Sequence, residues 1–263
     1  MTVRAAVAGL LATALAASGL AALPSPPSAT KADDRFREAN ELVRAGDYPK
    51  AIALYGELAA SGHESASLYW NWAQAASARG AQGEALWALL RARDLDPGDR
   101  AVARDVERVR EALNLDPAEI APEPLAAAGR WSRRFRLDLL ALALFVLSLA
   151  AHALGRLPPR RRWTGNAAGV GLGLGLLAAA VPVAASFARP TATVVRRAAP
   201  LLDAASPTAE TAGSLREGEV VPVLESSGDW LRVEDNAGAR GWAHVDDVRR
   251  LDTPPGRRPA DAG

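Results

Sequence analysis

Residues 69–92 read Tyr69-Trp70-Asn71-Trp72-Ala73-Gln74-Ala75-Ala76-Ser77-Ala78-Arg79-Gly80-Ala81-Gln82-Gly83-Glu84-Ala85-Leu86-Trp87-Ala88-Leu89-Leu90-Arg91-Ala92. Four positions of this stretch answer residues thirty-four earlier: Gly80 answers Gly46, Ala85 answers Ala51, Leu89 answers Tyr55 and Ala92 answers Leu58. A fixed period of that length marks a repeat whose unit is one pair of helices. The first copy holds Ala39, Leu42, Gly46, Tyr48, Ala51, Tyr55 and Leu58, and the second holds Tyr69, Trp72, Ala73, Ala76, Gly80, Ala85, Leu89, Ala92 and Pro97. Small side chains at Ala39/Ala73 and Ala51/Ala85 let the two helices of a pair approach, and Tyr55/Leu89 fill the groove beside them. Gly46 and Gly80 are expected late in the first helix of each pair, close to the turn. Pro97 ends the connector or starts the next helix.

These positions resemble the tetratricopeptide-repeat family, the second copy more closely than the first. Arg35 stands where a large aromatic is usual and His63 where proline is usual. Two pairs leave an apolar face uncovered. Val102, Val106, Val109 and Leu113 recur at helical spacing behind Asp99, a helix-capping residue type, so a covering helix is expected there. The array is thus expected over 32–115, with a linker at 116–136.

In such a fold the first helix of each pair faces a groove that takes a peptide. Register places Phe36, Asn40 and Val43 there in the first copy, and Trp70, Asn71, Gln74 and Ser77 in the second. Asn40 and Asn71 coincide with two asparagines of the carboxylate clamp known in some repeat proteins. Phe36, Ala101 and Asp105 stand where that clamp needs Lys or Arg, so a carboxylate would lack its charge partners and the clamp is rejected. Trp70 is the foremost contact candidate, since aromatics in grooves dominate binding energy; the alternative is packing within the repeat core.

Apolar residues concentrate elsewhere. Residues 5–23 are apolar or small behind Arg4 and end in Pro24-Ser25-Pro26-Pro27, the shape of a secretory signal over 1–30, cleaved or kept as an anchor. Residues 137–154 are interrupted only by Asp138, Ser148 and His152, and 165–188 carry no charge. These segments predict a two-helix transmembrane hairpin, 137–155 and 165–188. The loop 156–164 between them is rich in arginine and expected on the cytoplasmic side. Arg130, Arg133, Arg134 and Arg136 crowd the other end, so the signal sequence decides the orientation and places both flanking domains on the exported side. Trp131 and Trp163 are expected at interfaces. Gly169, Gly171, Gly173 and Gly175 do not complete a dinucleotide loop, because Leu174 occupies the third required glycine position. They allow close helix approach instead, and Pro182 is expected to kink the second helix.

From Thr191 onward short β-type runs alternate with turns. Val220-Val221-Pro222-Val223-Leu224, Trp230-Leu231-Arg232-Val233 and Gly241-Trp242-Ala243-His244-Val245 are separated by Ser226-Ser227-Gly228-Asp229 and Glu234-Asp235-Asn236-Ala237-Gly238. Leu215-x-x-Gly218, Asp229-Trp230-x-x-Val233 and Gly238-x-x-Gly241-Trp242 resemble bacterial SH3 domains, which implies a small all-β SH3-like barrel over 190–252, its first strand within 192–199, followed by a disordered tail at 253–263. Trp230 and Trp242 either line a ligand face or fill the interior, as tryptophan more often does.

Composition narrows the chemistry. The chain has 263 residues, 49% hydrophobic but only 5% aromatic, and no cysteine, which removes disulfides, thiolate nucleophiles and cysteine-ligated zinc. His63, His152 and His244 lie in unrelated regions and make no metal set. Asp33-Asp34 and Asp246-Asp247 read as solvated faces. Neither a nucleophile elbow nor a phosphate loop is present, so no enzyme activity, cofactor or metal is expected. The net charge of +1 gives no overall reason to expect nucleic-acid binding. It conceals a net −3 in each of 32–115 and 189–252, offset by the arginines around the two apolar segments.

The expected architecture is multi-domain: signal, tetratricopeptide array, transmembrane hairpin, SH3-like barrel. That order resembles the BatE-type proteins of the Bacteroides-aerotolerance group, whose genes accompany MoxR-type ATPases and von Willebrand A-domain membrane proteins. The resemblance implies a non-enzymatic scaffold in the bacterial inner membrane, its domains on the periplasmic side, with those proteins as partners in envelope stress or aerotolerance. The alternative is a sensor that binds peptidoglycan through the barrel.

Overall fold

The computed structural model describes residues 27–120, 125, 128–129, 131–132, 135–155 and 162–254. Most of the expected signal, the loop 156–164 and the tail 253–263 lies outside the described residues.

Five helices come first: α1 (Pro27–Arg44), α2 (Tyr48–Ala60), α3 (Ala66–Ala78), α4 (Gln82–Leu95) and α5 (Arg100–Ala112). Three of their starts are fixed by a side-chain oxygen. Asp47 accepts from the Lys50 N–H, Ser65 from Leu68, and Asp99 from Ala101 and Val102, each such cap contributing ~1 kcal/mol. α4 differs, because its capping position is Ala81, which offers no side-chain acceptor. α1 and α3 end alike. Gly46 and Gly80 adopt φ of +80° and +81° two residues beyond the helices, and the following N–H reaches back to Leu42 O and Ala76 O at 2.9 Å. Only glycine takes that left-handed turn without strain.

The helices share one core. Ala39, Ala51, Ala73 and Ala85 are fully closed off, with Tyr55, Leu68, Leu89 and the α5 residues Val102, Val106 and Val109 packed around them. Tyr69, Trp72 and Trp87 meet at its centre, with ring centroids 5.1–6.0 Å apart in stacked and edge-on pairs. α4 is buried all round from Gly83 to Ala92, so structure covers it on every side.

After a short 3₁₀ turn (Pro117–Ile120), α6 (Leu137–Gly155) and α7 (Arg162–Ala185) form an antiparallel hairpin. Gly171 and Gly175 face Ser148, Leu144 and Ala141, where an added Cβ would lie 3.4–3.5 Å from the opposite helix. Among the described residues no helix is long and apolar enough to cross a membrane, which overturns the transmembrane hairpin expected over 137–155 and 165–188. The physical reason lies in the interruptions. Asp138 in the first turn of α6 and His152 in the last leave only residues 139–151 between them, ~20 Å at 1.5 Å per residue, against the ~30 Å of a bilayer core. α7 is built largely of glycine and alanine and holds Pro182 inside the helix. Trp131, expected at an interface, packs its ring 5.2 Å from Phe135; the Trp163 side chain lies outside the described residues.

Seven strands complete the chain: β1 (Thr191–Val194), β2 (Ala198–Leu202), β3 (Thr211–Arg216), β4 (Val220–Ser227), β5 (Trp230–Glu234), β6 (Arg240–His244) and β7 (Val248–Arg250). They form one antiparallel sheet in the order β3-β2-β6-β5-β4-β1-β7. The single strand expected within 192–199 is two strands, broken at 195–197. Inward alternation delivers Ala192, Val194, Leu201, Leu215, Val223, Leu231, Val233, Ala243 and Val248 to a second core.

That sheet packs directly on α4. Val220 joins the helical core, with Val195 and Leu251 against it. A Cβ on Gly83 would meet Val194 O at 2.8 Å and Val195 Cα at 3.0 Å, and one on Gly218 would meet the Leu113 and Leu115 side chains at 2.5 and 2.7 Å. Trp87 Nε1 donates to Arg250 O at 2.8 Å, and Arg216 Nη1 reaches Glu119 Oε1 at 2.7 Å.

Candidate functional site

The residues assigned to the helical groove do come together, but largely to bind one another. Asn40 Oδ1 accepts from Tyr55 OH at 2.7 Å and from Asn71 Nδ2 at 2.9 Å, so both asparagines are committed between α1 and α3. Asp105 of α5 accepts from Trp70 Nε1 at 2.8 Å and Gln74 Nε2 at 3.2 Å and pairs with Arg108 at 2.6 Å. Phe36 and Val43 rest on the core, the Phe36 ring 6.1 Å from Tyr55. Ser77 lines a shallow cleft with Gln74, Gln82 and Arg108. Trp70 alone among these presents a large apolar surface, 36% exposed. Its indole is held by Asp105, which the sequence marked only as a position where the clamp would need a cation.

The β-domain holds a wider opening. β5 alternates half-buried Trp230, buried Leu231, exposed Arg232 and buried Val233; β6 alternates buried Gly241, half-buried Trp242, buried Ala243 and half-buried His244. Because side chains on a strand alternate faces, both tryptophans lie on the outer face, against the general tendency of tryptophan to fill an interior. Trp230 pairs across the strands with His244 and Arg232 with Trp242. The Trp230 and His244 rings meet edge-on at 5.1 Å.

Beside them is a cleft of about 540 Å³ lined by Arg196, Pro207, Asp229, Trp230, His244 and Asp246, with Asp247 at its base. Ser227 and Gly228 of the β4–β5 turn complete its rim, the glycine at φ +58°. Asp247 is not solvated, as its sequence context suggested: it is 8% exposed, and Arg196 Nη1 donates to its carboxylate at 3.1 Å. Val195 N donates to Asp247 O and Asp247 N to His244 O, both at 2.9 Å, and Val245 N donates to Asp229 O at 2.9 Å. Three of the four segments that carry the lining are therefore tied by backbone hydrogen bonds, Pro207 coming from the fourth. Asp229 and Asp246 are exposed; His244 Nδ1 lies 3.3 Å from Asp246 Oδ2. The opening has one aromatic wall and a carboxylate rim. Arg196, Asp229 and Pro207 come from loops whose sequence carries no periodic signal. Trp242 lies on the same outer face but not in the cleft. Among the described residues no group of three or more His, Asp or Glu is placed to hold a metal ion.

A model of the bacterial SH3 domain matches residues 195–249, the stretch from the end of β1 into β7. This part of the chain is a bacterial SH3 domain, which supports a role in binding protein or cell wall. No curated protein matches the chain.

Proposed function

We propose that the chain is a non-enzymatic scaffold of the bacterial envelope that holds a partner protein in the Trp230 cleft of its SH3 domain. The helical array, which resembles tetratricopeptide repeats, offers Trp70 as a second contact. The observation that carries this reading is the outward placement of Trp230 beside Asp229 and Asp246: a half-buried aromatic next to exposed carboxylates suits a peptide side chain with an apolar stem and a cationic end. The array and SH3 domain remain the part of the BatE-type resemblance on which partner choice rests. That choice is a von Willebrand A-domain protein of a MoxR-type ATPase system, met on the exported side that residues 5–23 suggest. Co-purification of the full chain with that protein tests the reading. Recovery should fall at least tenfold with Trp230→Ala and several-fold with Trp70→Ala; recovery unaffected by Trp230→Ala would overturn it.

A second reading has its own support. The carboxylate rim also suits the free amines of peptidoglycan stem peptides. Sedimentation of the full chain with purified sacculi separates the two: pelleting that Trp230→Ala abolishes favours the cell wall, and a chain that stays in the supernatant removes this reading.

A further inference from the structure

We infer that the first turn of α4, in the helical array, sets the geometry of the Trp230 cleft, with Gly83 and Glu84 as positioning residues for a site built wholly in the SH3 domain. The inference rests on that cleft being the binding site proposed above. Two separate contacts carry it, each reaching a different wall.

The first contact holds the segment between β1 and β2. Gly83 lies so close to it that a Cβ would stand 2.8 Å from Val194 O and 3.0 Å from Val195 Cα, both backbone atoms, which cannot swing aside as a side chain does. The Gly83 N–H donates to Glu217 Oε1 at 2.7 Å, and the next residue, Gly218, donates its N–H to Val194 O at 2.8 Å. The helix end, the 217–218 turn and the β1–β2 segment thus form one closed set of contacts. Arg196, the next residue in that segment, lines the cleft and holds Asp247.

The second contact holds the segment between β6 and β7. Glu84 Oε1 accepts from Arg249 Nη1 at 2.7 Å, and the Arg249 guanidinium lies over Trp87 and Trp72, 5.2 and 5.8 Å from their ring centroids. Arg249 stands two residues after Asp247, whose carbonyl accepts from Val195 N and whose N–H donates to His244 O. A shift of α4 therefore moves both walls in register, because the Val195–Asp247 hydrogen bond joins them. Trp242, on the outer face of the same strands but away from the cleft, has no such route to α4.

The test uses the indole N–H resonances of the isotope-labelled full chain, with those of Trp230 and Trp242 identified by Trp230→Phe and Trp242→Phe. Gly83→Ala and Glu84→Gln are each expected to shift or split the Trp230 resonance while leaving that of Trp242 in place. Arg249→Lys keeps the charge but loses the flat contact with both rings; it carries the same expectation and serves if Gly83→Ala does not fold. An unmoved Trp230 resonance, alongside a shifted Trp87 resonance that reports the disturbed contact, would overturn the inference. So would equal shifts at Trp230 and Trp242, which would mark general loosening of the domain. No ligand enters this experiment. A shifted Trp230 in a chain that retains neither the partner nor sacculi would sink the binding reading and leave the positioning intact.

Discussion

Arg249 of β7 places Nη1 2.7 Å from Glu84 Oε1 of α4, although 165 residues separate them. The Glu84 side chain is only 6% exposed and also accepts from Trp72 Nε1 at 3.1 Å and pairs with Arg79. It lies in the first helical turn, where the helix dipole favours a carboxylate. One buried acid thus connects two helices of the array to the last strand of the SH3 domain.

Arg249→Ala leaves that carboxylate with one fewer donor and bares two indole faces. Removing one partner of a buried pair costs ~3–5 kcal/mol; Arg249 is 31% exposed, so a loss of about 2–3 kcal/mol is expected in chemical denaturation. Far-ultraviolet ellipticity and tryptophan fluorescence should report one coincident transition in the unaltered chain. In the variant the array and the SH3 domain should begin to separate.

Ala81 leaves α4 without a cap of its own, and Glu217 of the SH3 domain supplies the acceptor for the Gly83 N–H at 2.7 Å. Glu217→Ala is therefore expected to behave as the loss of a helix cap, about 1 kcal/mol in melting experiments. A second change, Ala81→Ser, should restore part of it. A purely local role for Glu217 within its turn predicts no rescue.

The alternation along β5 is tested by neighbours. Leu231 is 1% exposed and sits in the second core, so Leu231→Ala should cost ~2–4 kcal/mol. Trp230→Ala, on the outer face, should cost under ~1 kcal/mol while removing partner binding. Equal costs at the two positions would mean that the strand register is wrong, since a shift by one residue exchanges the two faces.

Burial of the Tyr55 hydroxyl in the array core pushes its pKa up to about 12 against the pull of Arg44, and burial raises Tyr69 as well against the nearby Arg91 charge. An unfolded tyrosine ionises near 10.0. The folded state therefore favours the neutral phenol. This contribution to stability is complete below pH 10 and is lost as pH rises from there through about 12. Denaturation measured across that range should show falling stability, with the decline shallower in Tyr55→Phe. Tyrosinate absorbance of Tyr55 in the folded chain should appear near pH 12 rather than near 10.

Local signals made the helices and most strands readable. The thirty-four-residue offset found the turns at Gly46 and Gly80, Asp99 marked the start of α5, and the runs 220–224, 230–233 and 241–245 fall on β4, β5 and β6. The cleft was legible only through Trp230, because Arg196, Pro207 and Asp229 reach it from loops. The groove positions fall on α1 and α3, yet periodicity does not show that Asn40 and Asn71 satisfy each other. The apolar count at 137–154 misled, because Asp138 and His152 leave only residues 139–151 between them. α4 carried an unread signal. Gly83, Glu84, Trp87 and Arg91 lie along one face of α4 and Ala85, Leu86, Ala88, Leu89 and Leu90 on the others, and all are buried, the mark of a helix covered on every side. Their partners in the β-region lie more than 130 residues away, beyond any local pattern.

The docking of the SH3 domain on the array is tested most directly by hydrogen exchange at the Trp87 indole. This ring is 0% exposed, and its N–H donates to Arg250 O at 2.8 Å. In the full chain the Trp87 indole N–H should exchange only through global unfolding, as slowly as the most protected amides of α3 and α4, and should lose that protection in Arg249→Ala. Exchange at the rate of a free indole, in a chain whose α3 and α4 amides remain protected, would show that the two domains are not joined through α4.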